Sequence, residues 1–512
     1  MTPFKKLCVL CLLCALCASC NMDVQPEGQI SDTQALDSYK DCRNFWTGLY
    51  ALMRNVTSGN HVILSDIQLD DFHAVMGNGN RLMDIYNGNI YPNTEEVTDI
   101  YASYYALIAQ CNFFIDGVPL TVQRHNFPST QTDSLLSCMA DAYFFRSYAY
   151  SQLANLFCSS YIHSDINQTA SGLSLVTAYK PSSDNSSYPG RSTLQQTYQL
   201  IMADLQQAYL LKTQSGITPP DNYYVSTAAI QALQARILLA MGDNKRAAEV
   251  ASALIDSGQY PLASAADFAK LWKQDEGSEI IWRVQADYNY HGLPTGSAFM
   301  SNSHHAADYI PTNEVVYLYE LNDCRWDAYF AECSINNTGG EGKVFRLAKY
   351  PGNPDIYGTS AQSNFVNMAK PFRSAELYLI AAEAYDNLKQ TEKAQAYLRP
   401  LVTARLDAGY YAANVAPLTG TMLTKYIRDE RHRELLAEGH RLADLKRWNT
   451  GFIRGEAQEC WDFDTQNCEP LLFHTNLHLS YSADDYRLLW PIPADEFNVN
   501  PQIKGQQNPG YF

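Results

Sequence analysis

Two stretches of the sequence carry side chains suited to binding a sugar. Asp, Asn and Arg can hydrogen-bond neighbouring hydroxyls, and aromatic rings can pack on the apolar C–H faces of a sugar ring. Both kinds of side chain occur at residues 66–91 and again at residues 288–309. We predict ligand contacts from the following residues: Asp66, Asp71, His73, Asn78, Arg81, Tyr86, Tyr91, Tyr288, Tyr290 and Tyr309. For each aromatic ring the alternative is packing within the protein.

The densest run of charge, at residues 428–447, could suggest a catalytic carboxylate pair. Glu430 and Glu434 are four residues apart and would lie one turn apart on a helix. The two carboxylates of a glycosidase instead face each other across a sugar, about 5–9.5 Å apart. We therefore expect a structural role, in which Glu434, Glu438 and Arg441 form ion pairs along one helix.

Other catalytic and cofactor motifs are incomplete. Residues 77–82 read GNGNRL and lack the third glycine of a dinucleotide-binding loop, and Gly342-Lys343 is followed by valine, where a P-loop has Ser or Thr. Neither Gly-x-Ser-x-Gly nor His-Glu-x-x-His occurs. The adjacent His304 and His305 have no evident third metal ligand. The sequence thus predicts a protein that is not an enzyme and that needs no cofactor or metal ion.

Amphipathic helices form most of the scaffold that must position the candidate residues. Apolar residues recur at intervals of three and four, as a buried helical face requires. This pattern predicts helices at about residues 34–54, 97–116, 133–158, 192–211, 225–241, 244–257, 373–388, 391–407 and 421–448.

Long segments without this periodicity separate the helices. They cover residues 59–95, 159–190, 261–372 and 449–512. Short strands are expected within them at residues 279–284 and around 488–491. Structureless segments longer than about 15 residues are uncommon unless they are functional. A helical scaffold with such segments indicates that the loops do the binding.

Two helix pairs look like copies of one unit. Residues 235–249 align with residues 382–396, so that Ala247 falls on Ala394. In both, a helix with small residues ends in a short polar turn, and a second helix follows. Stacked pairs of this kind form tetratricopeptide-like repeats. The turns differ in sequence, because the first has glycine where the second has Lys389.

Length and charge restrict the class of protein. At about 150 residues per domain, 512 residues allow three or four domains. Lys and Arg number 37 against 54 Asp and Glu, which gives a formal net charge of −17. Nucleic acids are polyanions that proteins bind through cations. The composition therefore argues against nucleic acid as a partner.

The first 20 residues have the layout of an export signal. Two lysines precede the apolar run 7–18, which is shorter than the roughly 20 residues that a membrane span needs. Small residues then precede Cys20, as in a bacterial lipoprotein signal. We predict cleavage before Cys20 and lipidation of this residue, which would anchor the protein to a membrane without a spanning helix. Cys17 is a poorer candidate because bulky Leu16 would occupy a position that must be small.

Eight cysteines follow Cys20. An exported chain could pair some of them in disulfides. Cys324 is close in sequence to Cys333, and Cys460 is close to Cys468. Spacing alone does not fix connectivity. Buried free thiols are the alternative, which we favour.

Several blocks of sequence occur in the order typical of one family. They are residues 141–157 (DAYFFRSYAYSQLANLF), 191–208, 229–248, 372–384, 429–448 (DERHRELLAEGHRLADLKRW), 490–493 (WPIP), 500–501 (NP) and 507–511 (QNPGY). Together with the export signal, these blocks resemble the SusD/RagB family of outer-membrane nutrient-binding lipoproteins. The resemblance covers nearly all of the chain after residue 20, and the blocks at 429–448 and 507–511 are the most specific.

The resemblance implies a mainly α fold. About four tetratricopeptide-like helix pairs would stand beside an irregular ligand-binding half with long loops and a few short strands. In this scheme residues 1–19 form the signal peptide, residues 20–260 the N-terminal region with the first ligand loop, and residues 261–512 the C-terminal region with further helix repeats.

The resemblance also implies a cell-surface receptor without enzymatic activity. Such a protein binds a glycan ligand and delivers it to a SusC-like TonB-dependent transporter barrel in the outer membrane. Family ligand contacts in the first and third loops favour residues 66–91 and 288–309 over residues 449–489. A peptide receptor on the same scaffold is the alternative. An exported glycoside hydrolase is a third hypothesis, for which no facing carboxylate pair can be argued.

Overall fold

The fold is mainly helical, as the sequence predicts. The computed structural model describes residues 34–75, 79–301, 307–337, 340–357, 362–462, 467–470 and 478–511. Helices account for 54% of the chain and strands for 6%, which confirms the predicted fold class.

The helices of the described residues vary in length from one turn to eight. They are α1 (Tyr39–Val56), α2 (Asn60–Gln68), α3 (Met83–Tyr86), α4 (Glu95–Arg124), α5 (Ser129–Phe157), α6 (Leu194–Ser215), α7 (Thr227–Ala240), α8 (Asn244–Asp256), α9 (Lys270–Lys273), α10 (Asn313–Val316), α11 (Cys324–Tyr329), α12 (Pro354–Tyr357), α13 (Ser374–Asn387), α14 (Thr391–Arg405), α15 (Ala408–Asn414), α16 (Gly420–Glu434), α17 (Arg441–Trp448) and α18 (Ala494–Val499).

The strands are short and pair antiparallel in small sheets. They are β1 (Phe72–Ala74), β2 (Ile280–Trp282), β3 (Tyr309–Pro311), β4 (Phe330–Asn337), β5 (Gly340–Leu347), β6 (Phe372–Arg373), β7 (Phe452–Ile453), β8 (Glu459–Asp462), β9 (Asn467–Pro470) and β10 (Ser480–Tyr481). The pairs are β1–β3, β2–β6 and β7–β10, and one sheet has the order β4-β5-β8-β9.

The long helices pack on one another in chain order. Helix α1 packs on α4, α4 on α5, α5 on α6, α7 on α8, α8 on α13, and α13 on α14. Their buried faces form the main hydrophobic core, which also includes the fully buried Trp282 and Trp490. This layer of helices supports the loops and small sheets.

The two aligned helix pairs have matching turns. Gly242 follows α7 and Lys389 follows α13 at the equivalent position, and both have left-handed backbone angles, with φ of +76° and +61°. Ala247 and Ala394 are both fully buried at the start of the second helix. Small side chains at these positions let the paired helices approach closely. The two aligned turns thus have similar backbone geometry.

Side-chain caps explain where two helices begin. The Ser38 Oγ accepts the Asp41 N–H at 3.2 Å, and the Asp41 carboxylate accepts the Ser38 N–H at 3.0 Å. Thr193 and Gln196 form the same reciprocal arrangement at the start of α6. The first helix therefore begins at residue 39, later than the predicted residue 34.

The predicted helix at residues 421–448 is wrong as one element, because it is two helices. Between α16 and α17, Ala437 and Gly439 have φ of +59° and +76°. Left-handed residues end an α-helix. The freed Gly439 N–H donates to the Asp66 carboxylate at 2.9 Å, so the break is fixed by a contact from a distant part of the chain.

Several other elements differ from the sequence prediction, and the short helices α3, α9, α10, α11, α12 and α18 lie in segments predicted to be irregular. Helix α2 lies in a segment predicted to be irregular, because residues 63–68 are all buried and show no amphipathic period. Residues 488–491 form no strand, since a 3₁₀ turn covers Tyr486–Leu488. The strand predicted at residues 279–284 is present as β2.

Helix α4 is the one helix of the described residues that is long and apolar enough to cross a membrane. It packs between α1 and α5, and residues along it, such as Tyr104 and Phe114, belong to the main core. Core packing therefore accounts for its apolar character.

Candidate ligand-binding site

The two predicted ligand loops lie side by side in the structure. Strands β1 and β3 pair antiparallel, so that His73 lies opposite Ile310 and Ala74 opposite Tyr309. Arg81 of the first loop donates from Nη1 to the Ser297 carbonyl at 2.9 Å. Segments more than 200 residues apart in sequence thus form one surface region.

Two exposed tyrosines extend from the second loop. Tyr288 and Tyr290 are 64% and 67% exposed. The backbone beneath them is fixed, because Asp287 Oδ1 accepts the N–H groups of Asn289 at 2.8 Å and of Tyr290 at 2.9 Å. An exposed aromatic ring on a fixed turn presents an apolar face with little conformational freedom left to lose. This arrangement suits packing against a sugar ring.

The same loop is anchored to the end of α1. The Leu293 N–H donates to Ser58 Oγ at 2.8 Å, and Arg54 Nη1 donates to the Gln285 carbonyl at 3.3 Å. Burial lowers the pKa of Arg54, and the negative charge of nearby Asp287 acts in the opposite direction. Arg54 therefore adds a cation beside the two tyrosines. The sequence gave no sign of this role, because Arg54 lies on an ordinary amphipathic helix. Its contact depends on Gln285, which is distant in sequence and close to α1 only in the folded chain.

Arg81 is partly exposed but already engaged by the protein. Its side chain is 36% exposed and forms an ion pair with Asp308 at 3.1 Å. Its Nη2 donates to Ser297 Oγ at 2.9 Å, and the Tyr309 hydroxyl donates to the Arg81 carbonyl at 2.5 Å. Burial raises the pKa of Asp308 against the opposing effect of Arg81. Arg81 thus joins the two loops and keeps part of its guanidinium at the surface.

Tyr91 is exposed at a different place in the first loop. Its ring is 57% exposed, while its backbone N–H donates to Thr94 Oγ1 at 2.9 Å. The neighbouring Pro92 carbonyl accepts the Ala494 N–H, so the C-terminal region holds this end of the loop. Asn78, also predicted as a ligand contact, lies outside the described residues.

Five predicted contacts are buried and hold the loops in place. Asp66, Asp71, His73, Tyr86 and Tyr309 have at most 1% of their surface exposed. Asp66 accepts the N–H of Gly439 and Asp71 contacts His432 at 2.6 Å. Side chains without accessible surface have no free face for a ligand, and their partners are groups of the protein.

His73 illustrates this anchoring role. Its Nε2 lies 2.7 Å from the Gly455 carbonyl, and its Nδ1 lies 3.1 Å from the Tyr86 hydroxyl. Burial lowers the pKa of His73 to about 4, so the ring is neutral near pH 7. Because a carbonyl only accepts, Nε2 donates and Nδ1 accepts from the tyrosine. The Arg454 guanidinium packs over the Tyr86 ring at 3.9 Å and completes the attachment of this loop to the C-terminal segment.

The charged residues of 428–447 form a buried ion cluster, which supports the structural role expected for them. Glu434 accepts from three buried arginines, each belonging to another segment: Arg325, Arg373 and Arg405. Burial alone would raise the pKa of Glu434, but these guanidinium groups hold it well below its usual range.

The partners within this cluster differ from the expected ones. Glu438 lies in the break between α16 and α17. It pairs with Arg373 and Lys349, which belong to other segments of the chain. Arg441 pairs with Asp70 of the first loop at 2.6 Å and not with Glu434 or Glu438. The ion pairs predicted among Glu434, Glu438 and Arg441 are therefore wrong, because these residues pair with distant segments. Other pairs do run along a helix, namely Glu430 with Arg433 and Asp444 with Arg447.

The remaining predictions concern metal ligands and cysteines. Within the residues that the structure describes, no group of three His, Cys, Asp or Glu side chains could hold a metal ion. Cys324 and Cys333 are both free, as are Cys42, Cys111, Cys138 and Cys158. The side chains of Cys460 and Cys468 lie outside the described part, and so do Cys20, His304 and His305.

Comparisons with known proteins agree with this architecture. Residues 336–511 match the model of the SusD family, and residues 22–239 match a family described as starch-binding associating with outer membrane. SusD-like protein P38 of Formosa agariphila is 22% identical over 476 residues, which cover 84% of this chain and 87% of that protein.

Solved structures show the same fold. A SusD superfamily protein from Bacteroides thetaiotaomicron is 24% identical with a TM-score of 0.75, and the match covers 92% of this chain and 100% of that one. A putative sugar binding protein from Bacteroides vulgatus is 21% identical with a TM-score of 0.74, covering 93% and 100% of the two chains.

The fold places this chain in a class of mainly helical scaffolds on which loops from both halves of the chain meet in one surface region. Within it, the two family models match most of the chain from its N-terminal to its C-terminal part. The chain belongs to the SusD/RagB family.

Proposed function

We propose that this protein binds a glycan at the surface formed by the two neighbouring loops. The observation that carries the proposal is the pair of exposed rings, Tyr288 and Tyr290, on a backbone turn fixed by Asp287. Arg54 and Arg81 lie beside this loop and could donate to hydroxyls. Aromatic platforms flanked by a few polar donors are the usual composition of a site that binds carbohydrate.

The setting of this receptor follows from the family and the N-terminal sequence. We propose a lipid anchor at Cys20 on the outer membrane, with the binding surface facing the cell exterior and a SusC-like TonB-dependent transporter as the partner that receives the glycan. The family description that mentions association with the outer membrane supports this setting. The protein is proposed to bind its ligand without chemical turnover.

Affinity gel electrophoresis tests the glycan site. The purified protein would be run through native gels that contain single polysaccharides of plant, host or microbial origin. We expect one polysaccharide to retard the protein, and Tyr288→Ala or Tyr290→Ala to weaken its binding roughly fivefold each, as expected for the loss of an aromatic contact. Tyr209→Ala is the matched control, because Tyr209 is an exposed tyrosine on helix α6.

Four outcomes would contradict the proposal. Retardation unchanged in both loop variants would place the site elsewhere, and an equal loss in Tyr209→Ala would show a nonspecific aromatic effect. Retardation by no polysaccharide, together with calorimetric binding of peptides, would favour the peptide receptor. Release of shorter sugars from the bound polysaccharide by the pure protein would show that it is an enzyme.

A further inference from the structure

A groove lies between helices α16 and α17. Its volume is about 480 Å³. One wall is a single face of α16, with residues spaced three and four apart, and the other is a single face of α17 and the residues after it. The lining residues are Thr421, Thr424, Lys425, Arg428, Asp429, His432, Arg441, Leu445, Trp448, Thr450 and Gly451. None of them belongs to the loops that carry Tyr288 and Tyr290.

The floor of the groove is held rigidly from behind. Arg441 is bound by Asp70 through two hydrogen bonds of 3.0 and 2.6 Å. His432 contacts Asp71 at 2.6 Å. Both aspartates come from the segment between α2 and β1, so the groove is built by distant parts of the chain.

Arg428 differs from the other arginines of these two helices. Arg431 and Arg447 both pair with Asp444, and Arg433 pairs with Glu430. In the part of the chain that the structure describes, Arg428 has no hydrogen bond and no carboxylate at ion-pair distance. Burial lowers its pKa, and the charge of Asp386 opposes this effect from beyond ion-pair distance. Its guanidinium donors are therefore available to a ligand.

The surroundings of Arg428 fix its position and add hydrogen-bonding groups. Its guanidinium carbon lies 5.1 Å from the centre of the Trp448 ring, and the Trp448 Nε1 donates to Glu383 at 2.9 Å. Lys425, 72% exposed, pairs with Asp429 at 2.5 Å on the rim. A planar guanidinium held against an indole binds a carboxylate through two parallel hydrogen bonds.

We propose that this groove binds the carboxylate of an acidic sugar. Arg428 would bind the carboxylate, while Lys425, Asp429 and the threonine hydroxyls would contact the sugar hydroxyls. Apart from Trp448, Leu445 and Gly451, every residue of the lining carries a polar or charged group that could bond to the sugar. This inference goes beyond the proposed function, because it concerns another site and another ligand and stands without it.

Calorimetric titration of the purified protein with two acidic oligosaccharides, trigalacturonate and a hyaluronan tetrasaccharide, tests the inference. The methyl ester of trigalacturonate serves as the uncharged probe. We expect at least one acidic probe to bind, the ester to bind about tenfold more weakly or worse, and Arg428→Gln to weaken acidic binding by about the same factor. Arg428→Lys keeps the charge without the planar fork and should show an intermediate loss.

The matched control is Arg399→Gln. Arg399 is an exposed arginine on α14 whose guanidinium also lies near an aromatic ring, that of Tyr411 at 5.8 Å. The Arg399→Gln variant should bind the acidic probe with the same affinity as the unaltered protein. Tyr290→Ala should also leave this binding unchanged, which separates the groove from the loop site whatever the polysaccharide gels show.

Several results would overturn the inference. They are no binding of either acidic probe, equal binding of the acid and its ester, or equal affinity in Arg428→Gln and the unaltered protein. Binding of an acidic peptide that depends on Arg428, without binding of either sugar, would assign the groove to a different ligand class. Thermal unfolding of each variant confirms that a lost signal reflects the groove and not an unfolded chain.

Discussion

Replacing Glu434 by glutamine should destabilise this protein strongly. The Glu434 carboxylate is fully buried and accepts from Arg373 at 2.6 Å, from Arg405 at 3.0 Å through each of two nitrogens, and from Arg325 at 3.1 Å. The glutamine has the same shape but no charge, and its amide nitrogen would face guanidinium donors. The other carboxylates around these arginines are already shared among several cations.

The expected magnitude follows from removing one member of a buried ion cluster. Leaving buried charge without its partner costs about 3–5 kcal/mol. Proteins are stable by about 5–15 kcal/mol in total, so this loss is a large share of the free energy of unfolding. Urea unfolding of Glu434→Gln, followed by tryptophan fluorescence, measures it. Glu249→Gln, the same substitution on an exposed face of α8, should change the free energy of unfolding by less than about 0.5 kcal/mol.

A loss below about 1 kcal/mol in Glu434→Gln would refute this reasoning. It would mean that the remaining carboxylates of the cluster, such as Glu279, can neutralise three arginines without Glu434. Equal destabilisation of both variants would show that the amide, and not the position, causes the effect.

Two further predictions concern acid stability and the helix turns. Burial would raise the pKa of Glu438 above its usual 4.5, but Arg373 and Lys349 lower this pKa to about 2. The ionised Glu438 therefore contributes roughly 3 kcal/mol to the free energy of unfolding. This contribution is present above pH 4.5 and is lost as the pH falls towards 2. The difference in stability between the unaltered protein and Glu438→Gln should shrink over that range, and a constant difference would contradict the assignment. Lys389 has a left-handed backbone with φ of +61°, which glycine adopts more readily, so Lys389→Gly should stabilise the protein by about 0.5–1 kcal/mol. At the equivalent turn, Gly242→Ala should destabilise the protein by about 1 kcal/mol. Changes of the same sign in thermal unfolding would show that the two turns are not equivalent.

Local patterns in the sequence were sufficient to predict most long helices. Their amphipathic periods, and the polar turns of the aligned pairs, reflect interactions within a few residues of one another. Helix α2 was missed because its buried stretch, residues 63–68, includes the polar Ser65, Asp66 and Gln68, so no amphipathic period marks it. The break between α16 and α17 was missed because it depends on Ala437 in a left-handed conformation, which its residue type does not favour.

The candidate site was predictable only as a pair of loops. Tyr86 and Tyr91 are five residues apart in equally polar surroundings, yet Tyr86 is fully buried and Tyr91 is exposed. The difference comes from Arg454, which packs on Tyr86 from 368 residues away. The same reason explains why no pattern identified Arg428, whose availability depends on where other carboxylates lie in space.

The attachment of the first loop to the end of the chain has a consequence for the order of folding. Arg454 donates to the carbonyls of residues 67–69, and the Trp490 indole donates to Gln68 at 2.7 Å. These two partners lie 386 and 422 residues further along the chain than Gln68.

Helices α4–α8 can pack through contacts that are close in sequence, whereas residues 66–73 bond to partners beyond residue 300. Contacts of such long range form late, because closing the intervening chain costs conformational entropy before any contact forms. The first loop should therefore become ordered after the helical scaffold, and an incomplete chain could carry a folded scaffold without a complete binding surface.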